Sequence, residues 1–110
     1  MTTKRFPGTI YAGHTTDCGV LVPFDPSKVW PSVEPLPIGY RKFVGYAVRG
    51  TVAGVPFESW IFHYFKQWRL VVPRKALEAA GVDAGDDARF SVRPHPQADQ
   101  APKFQVGPKR

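Results

Sequence analysis

The sequence predicts a mainly β domain: a small closed β-barrel made of two pseudo-symmetric halves, with one short α-helix. Three observations lead there. Short runs of β-branched and aromatic residues recur between glycine, proline and aspartate turn signals. Helical periodicity is confined to a single stretch after Pro73. Finally, the segment Gly19-Val20-Leu21-Val22-Pro23, followed by a helical turn, is echoed by Arg69-Leu70-Val71-Val72-Pro73, again followed by helix formers.

Taken in order, residues 9–12 read as a short strand and 13–17 as a turn. The apolar run 18–24 reads as a second strand, which Pro23 ends or places at an edge. Asp25-Pro26 then has the signature of a helical turn, with Asp25 as N-cap and Pro26 at the first helical position. Pro31, Pro35 and Pro37 mark the following stretch as a loop. Residues 43–52 and 55–62 form a hairpin about Ala53-Gly54, where glycine supplies the positive φ of a two-residue turn. Gly50 and Pro56 mark a bulge or a strand edge. After a turn at 63–67, residues 68–72 form another strand. Pro73 opens a helix of about two turns that Gly81 stops, and Leu77 and Ala80 must pack on the sheet to hold it. A tight turn at 84–87 leads into a last strand, 88–93, with Arg89, Ser91 and Arg93 on one face and Phe90 and Val92 on the other. About six strands result.

The length of 110 residues fits one domain. Residues 6–93 are expected to form it, between an N-terminal tail of 1–5 and a Pro-rich C-terminal tail of 94–110, in which Phe104 and Val106 are the only residues suited to docking as a strand. Fifteen Lys and Arg oppose nine Asp and Glu, giving a net charge of +6. Five of those cations, Lys4, Arg5, Lys103, Lys109 and Arg110, fall in the two tails against Asp99 alone, which leaves the barrel only +2. The lone Cys18 excludes an internal disulfide framework. With no apolar run of membrane-spanning length and no signal-like N-terminus, the expectation is a cytoplasmic protein without a membrane partner.

The stretch Leu70-Val71-Val72-Pro73-Arg74-Lys75-Ala76-Leu77-Glu78-Ala79-Ala80-Gly81-Val82-Asp83-Ala84-Gly85-Asp86 resembles the strand–Pro–helix–Gly-Asp signature of the AbrB and MazE swapped-hairpin barrels. A closer resemblance, over about residues 6–94, is to a family of small bacterial and archaeal domains of unknown function with a double-split β-barrel. It is carried by Val22-Pro23-Phe24-Asp25, by Val48-Arg49-Gly50-Thr51-Val52-Ala53-Gly54-Val55-Pro56-Phe57, by Leu70-Val71-Val72-Pro73 and by Gly85-Asp86. The resemblance implies that one chain supplies both barrel halves. AbrB-like proteins bind DNA as dimers through basic residues near strand ends, a surface that a single-chain barrel need not keep. The closer family brings no catalytic residues to carry over.

Chemistry is sparse. His14, His63 and His95 have no metal-ligand spacing and read as turn, surface and tail residues, so no metal or cofactor is expected. Cys18 heads an apolar run and reads as a small buried hydrophobe. Ser59, between Glu58 and Trp60, has no triad partners, and no catalytic residue is predicted. Asp86 and Asp87, with Asp83 just before them, would not converge on one substrate, since adjacent strand residues point to opposite faces, and they read as structural. The resemblance implies that the Gly-Asp pair is a turn device whose carboxylate accepts backbone N–H bonds.

One cluster stands apart: Phe57, Trp60, Phe62, Tyr64, Phe65 and Trp68. Alternation puts Trp60, Phe62 and Tyr64 on one strand face and Phe57, Ser59 and Ile61 on the other. Two readings stay open: core beneath an aromatic lid near Trp30, or a groove for a small molecule lined by Trp60, Tyr64, Trp68 and Arg69. The expected function is a non-enzymatic binding or interaction domain with a small-molecule or protein partner. The alternative is a nucleic-acid-binding barrel of AbrB type using Lys66, Arg69, Arg74, Lys75, Arg89 and Arg93. A small hydrolase or isomerase working in a barrel-end pocket is the third.

Overall fold

The structure is a computed structural model and describes residues 2–13, 17–38, 43–64 and 66–96. Eight strands and two short helices follow in the order β1 (Lys4–Thr9), β2 (Tyr11–Ala12), β3 (Cys18–Val22), α1 (Pro26–Val29), β4 (Leu36–Ile38), β5 (Phe43–Val52), β6 (Val55–Tyr64), β7 (Gln67–Val72), α2 (Arg74–Ala80) and β8 (Asp87–Pro94). All strands belong to one antiparallel sheet of order β1-β8-β5-β6-β7-β3-β2, with β4 joined to β5. The sheet curls into a half-barrel whose concave face holds the main core.

Most expected elements form for the expected reasons. The expected strand 9–12 is divided between β1 and β2, and Gly50 is neither bulged nor at an edge but paired in register with Phe57 and Val92. Four further departures bear on the site. First, β1 begins at Lys4, so Lys4 and Arg5 belong to the sheet and not to a tail; Arg5 lies opposite Ser91 of β8. Pro7 and Gly8 disguise this strand. As an edge strand, β1 tolerates a proline that donates no ladder bond. Gly8 is required because a Cβ there would overlap Val20 of β3, which the curl of the sheet brings against it. Second, the Pro-rich stretch contains β4, with Pro37 opposite Val44 on β5. Third, α2 starts at Arg74 and not at Pro73, which sits at the N-cap without a capping side chain. The Asp17 carboxylate caps the helix instead, accepting from the Arg74 backbone N–H at 3.1 Å. Fourth, β8 runs to Pro94, and His95, expected in a tail, is buried with its backbone N–H bonded to the Ala47 carbonyl at 2.9 Å.

At the seam, β1 and β3 approach through side chains; among the described residues no ladder joins them. The two echoed segments lie side by side. In the β3–β7 ladder Val20 faces Leu70, its own counterpart in the repeat. The hairpin turn uses φ of 49° at Ala53 and 85° at Gly54, both left-handed, as a two-residue turn matched to strand twist requires. Asp25 caps α1 through a 2.9 Å bond from the Ser27 N–H, and Gly81 ends α2 at φ 74°.

Two apolar layers sandwich the middle of the sheet. On the concave face Phe6, Val20, Val48, Val52, Ile61, Leu70, Val72, Phe90 and Val92 meet Ala76 and Leu77 of α2 and Trp30. Trp30 is fully buried, and its Nε1–H donates to the Thr2 carbonyl at 2.8 Å. It is therefore a core residue and not a lid on the β6 aromatics. On the convex face Ala47, Trp60 and Phe62 form a smaller cluster flanked by Leu36, Tyr64 and Val71. No described helix is long and apolar enough to cross a membrane.

Candidate functional site

Strand register decides which side chains share the convex face. Arg93 of β8 lies opposite Arg49 of β5, and Arg49 lies opposite Glu58 of β6. One row along, Arg5 of β1 lies opposite Ser91, which lies opposite Thr51, which lies opposite Pro56. Directly opposed residues stand about 5 Å apart at Cβ. Four adjacent strands thus bring Arg5, Arg49 and Arg93 together with two hydroxyls and one carboxylate. They line an open groove of about 610 Å³ whose wall includes Pro56 and Phe57.

Within it, Glu58 is held from two sides. Its Oε2 accepts from Arg49 Nε at 3.0 Å, and its Oε1 lies 3.3 Å from Nε2 of the buried His95. The hydrogen bond to the His95 imidazole first, and with it the charges of His95 and Arg49 and the Arg49 hydrogen bond, hold the Glu58 carboxyl below the ordinary carboxylate range, although loss of solvent acts in the opposite direction. Thr51 and Ser91 share a 2.7 Å hydrogen bond between their hydroxyls. Among the described residues, Arg5 and Arg93 have no carboxylate within 4.0 Å. Two arginines set opposite one another cost stability. The Arg49–Glu58 pair offsets little of that, being about two-fifths exposed on both sides.

The four residues expected to line an aromatic groove are divided by the sheet. Trp60 is buried in the convex cluster at 1% exposure, whereas Trp68 points to the concave side and meets Tyr46 and His63 at ring distances of 5.9 and 4.9 Å. Arg69 is tied down on the convex face. Its Nε donates to the Tyr64 carbonyl at 3.0 Å and its terminal nitrogen to the Tyr11 hydroxyl at 3.1 Å, with the guanidinium beside both rings. Trp68 does line a second groove, of about 460 Å³, with Leu21, Phe24, Asp25 and Lys66. Its lining holds one lysine and one aspartate, so it carries no net charge to select a ligand. Phe65 and His14 lie outside the described residues.

The six cations of the nucleic-acid reading are likewise spread out. Arg89, Arg93 and Arg69 lie on the convex face by register. Lys66 occupies the β6–β7 turn in a left-handed conformation at φ 62°. Arg74 pairs with Asp83 at 3.2 Å at the start of α2, next to exposed Lys75.

Asp86 of the Gly-Asp pair acts in the turn as implied, accepting from the Asp83 N–H at 2.9 Å, and Asp83 accepts from the Ala84 N–H at 2.8 Å, whereas Asp87 begins β8 and accepts from the Thr9 hydroxyl. Cys18 is buried. No group of three potential metal ligands occurs among the described residues.

Sequence reasoning found Arg93 and Ser91 through the alternation of β8 and missed Arg5, Arg49 and Thr51. Arg49 and Thr51 alternate in the same way along β5, so that signal was available. Arg5 was hidden by the proline and glycine that follow it. Comparison with known protein families and with characterised proteins found no match for the chain.

Proposed function

We propose that this protein is a non-enzymatic binding domain that takes an anionic ligand on its convex sheet face, in the arginine groove. The observation that carries the reading is the convergence of Arg5, Arg49 and Arg93 from three neighbouring strands into one concavity with a single carboxylate, giving the lining a net charge of +2. Convergent guanidinium groups are suited to carboxylate, sulfate and phosphate oxygens. Binding is favoured over catalysis because the nucleophilic side chains are poorly placed for it. Ser59 and Cys18 are buried, and the Ser91 hydroxyl meets Thr51, which cannot take up its proton at neutral pH.

The test is an NMR titration of the 15N-labelled chain with inorganic phosphate, sulfate and citrate. Shifts centred on the amides of residues 5, 49, 51, 91 and 93, lost in the Arg5→Gln/Arg93→Gln double variant, are expected. Absence of any shift there with all three anions refutes the reading.

A nucleic-acid ligand is the second reading, favoured by one observation: Arg89 continues the row of Arg93 along β8, extending the charge beyond the groove. It predicts heparin retention that falls steeply with salt. The same proposal includes a cytoplasmic, bacterial setting and a closed double-split barrel distantly similar to the AbrB-type barrels. The packing of β1 on β3 and the pairing of Val20 with Leu70 support that reading.

A further inference from the structure

We propose that the groove selects a dianionic phosphate monoester carried by a small molecule, with its phosphoryl oxygens on Arg5, Arg49 and Arg93 and its organic body against Pro56. The inference rests on the anion-binding reading above and narrows it.

Charge gives the first argument. Three guanidinium groups and one carboxylate line the groove. A singly charged carboxylate, sulfate ester or phosphodiester leaves one positive charge without a counterpart, whereas a phosphate monoester carries close to two negative charges at neutral pH. Glu58 does not float freely in this balance. With one oxygen on Arg49 Nε and the other beside His95, it is held away from Arg5 and Arg93.

Geometry gives the second. Because the bond to Glu58 uses Nε, the fork of Arg49 still has its terminal nitrogens to offer. Arg93 stands directly across from Arg49, and Arg5 lies diagonally across from Arg93. A phosphoryl group has three terminal oxygens and can accept from three sides, which matches donors on three strands. The paired Thr51 and Ser91 hydroxyls share one proton between their oxygens at any moment, so the second hydroxyl proton is left to point outward at a further acceptor.

The third argument is size. About 610 Å³ falls within the range of small-molecule sites and exceeds what a bare phosphate fills. The remaining space is bounded on β6 by the exposed Pro56, an apolar surface suited to a ring or short chain, while the Phe57 side chain turns into the concave core.

The experiment is isothermal titration calorimetry of the full chain with phenyl phosphate and phenyl sulfate, from about pH 5 to about pH 7.5, across the second phosphate ionisation near pH 6. The groups facing the ligand are Arg5, Arg49, Arg93 and Glu58, with His95 behind Glu58. Any titration among them acts on both probes, so the ratio of the two affinities isolates the charge of the ligand. That ratio is expected to rise roughly tenfold over the range, in proportion to the dianion fraction. Arg5→Gln and Arg93→Gln, both exposed and checked for an unchanged circular dichroism spectrum, should each weaken phenyl phosphate about tenfold. Arg93→Lys, which keeps the charge and loses the fork, should weaken it less.

Equal affinities at all pH values would overturn the dianion inference while leaving the anion site standing. Failure of both probes, with no response to inorganic phosphate, sulfate or citrate either, would remove the anion site as well. If an unphosphorylated single-stranded DNA oligonucleotide displaces phenyl phosphate at lower concentration than phenyl phosphate itself binds, the ligand is a diester backbone and the proposal fails.

Discussion

Replacing Gly50 with alanine tests the architecture beneath the groove. The added Cβ would lie well inside 3.0 Å of the Ser91 carbonyl oxygen and 3.1 Å from Val92 Cγ1. Neither neighbour can rotate away: one is ladder backbone, and the other is a fully buried valine. The strands must therefore separate between the pairs Arg49–Arg93 and Thr51–Ser91. Loss of two ladder bonds at about 1 kcal/mol each, with overpacking of about 1–3 kcal/mol, gives a cost of about 3–5 kcal/mol. Reduced freedom of the unfolded chain returns at most about 1 kcal/mol. A net loss of about 3 kcal/mol corresponds to a fall in Tm of roughly 12–24 °C for a domain of this size. Gly54→Ala separates this close-approach cost from a conformational one. Its φ is +85° and no atom lies within 4 Å, so only left-handed strain applies, about 1–2 kcal/mol. Urea unfolding followed by tryptophan fluorescence measures both, as shifts of midpoint at constant slope. A Gly50→Ala variant no less stable than Gly54→Ala would refute the close approach of β5 and β8, and with it the tight setting of Arg49 and Arg93.

Three further outcomes follow from the same structure. Leu77→Ala, at a fully buried position where α2 meets the sheet, should cost about 2–5 kcal/mol in urea unfolding, whereas exposed Glu78→Ala should stay within about 0.5 kcal/mol of the parent. Asp17→Ala removes the carboxylate that caps α2 from outside the helix and should cost about 1 kcal/mol, with amide exchange rising first in residues 74–77. Glu58 ionises more readily in the folded protein than in the unfolded chain, because of His95 first and then Arg49. Its contribution to stability is therefore present above about pH 4 and lost as pH falls through its lower folded value. Chemical unfolding across the acid range should show a shallower acid-side decline for Glu58→Gln than for the parent.

The parts of the fold that were legible in the sequence are those whose local signals agree with their tertiary fate. The 43–62 hairpin, the Asp25 cap, the Gly81 stop and the alternation of β8 each combine a turn or cap residue with the right period, and the structure forms all four. The elements that escaped contain prolines whose cost is removed by position. Pro7 lies in an edge strand, and Pro37 pairs along only three residues of β5. Nothing local distinguishes such a proline from one in a loop, because the distinction depends on which side of the strand has a neighbour. The C-terminal limit failed for a related reason. His95 follows Pro94 in a polar segment, and only the Ala47 carbonyl across the sheet and the Glu58 carboxylate give it a place.

That difference in boundaries decides how the net charge is understood. Counting Lys4 and Arg5 as tail residues leaves an ordinary surface of +2 on the folded part and removes the reason to look for an anion site. Returning them to β1 restores two charges to the sheet, and register sets Arg5 on the face that carries Arg49 and Arg93. The aromatic cluster shows the opposite error. Six aromatic residues close in sequence look like a site, yet alternation and the curl of the sheet send Phe57 into the concave core with Trp68 at its margin, and Trp60 and Phe62 into the convex cluster. Proximity in sequence measures how residues are distributed between two faces, and a site forms where different strands contribute to the same one. Arg5, Arg49 and Arg93 are more than 40 residues apart from one another and meet through the β1–β8–β5 ladders. A functional surface of this kind becomes visible only once the register is known.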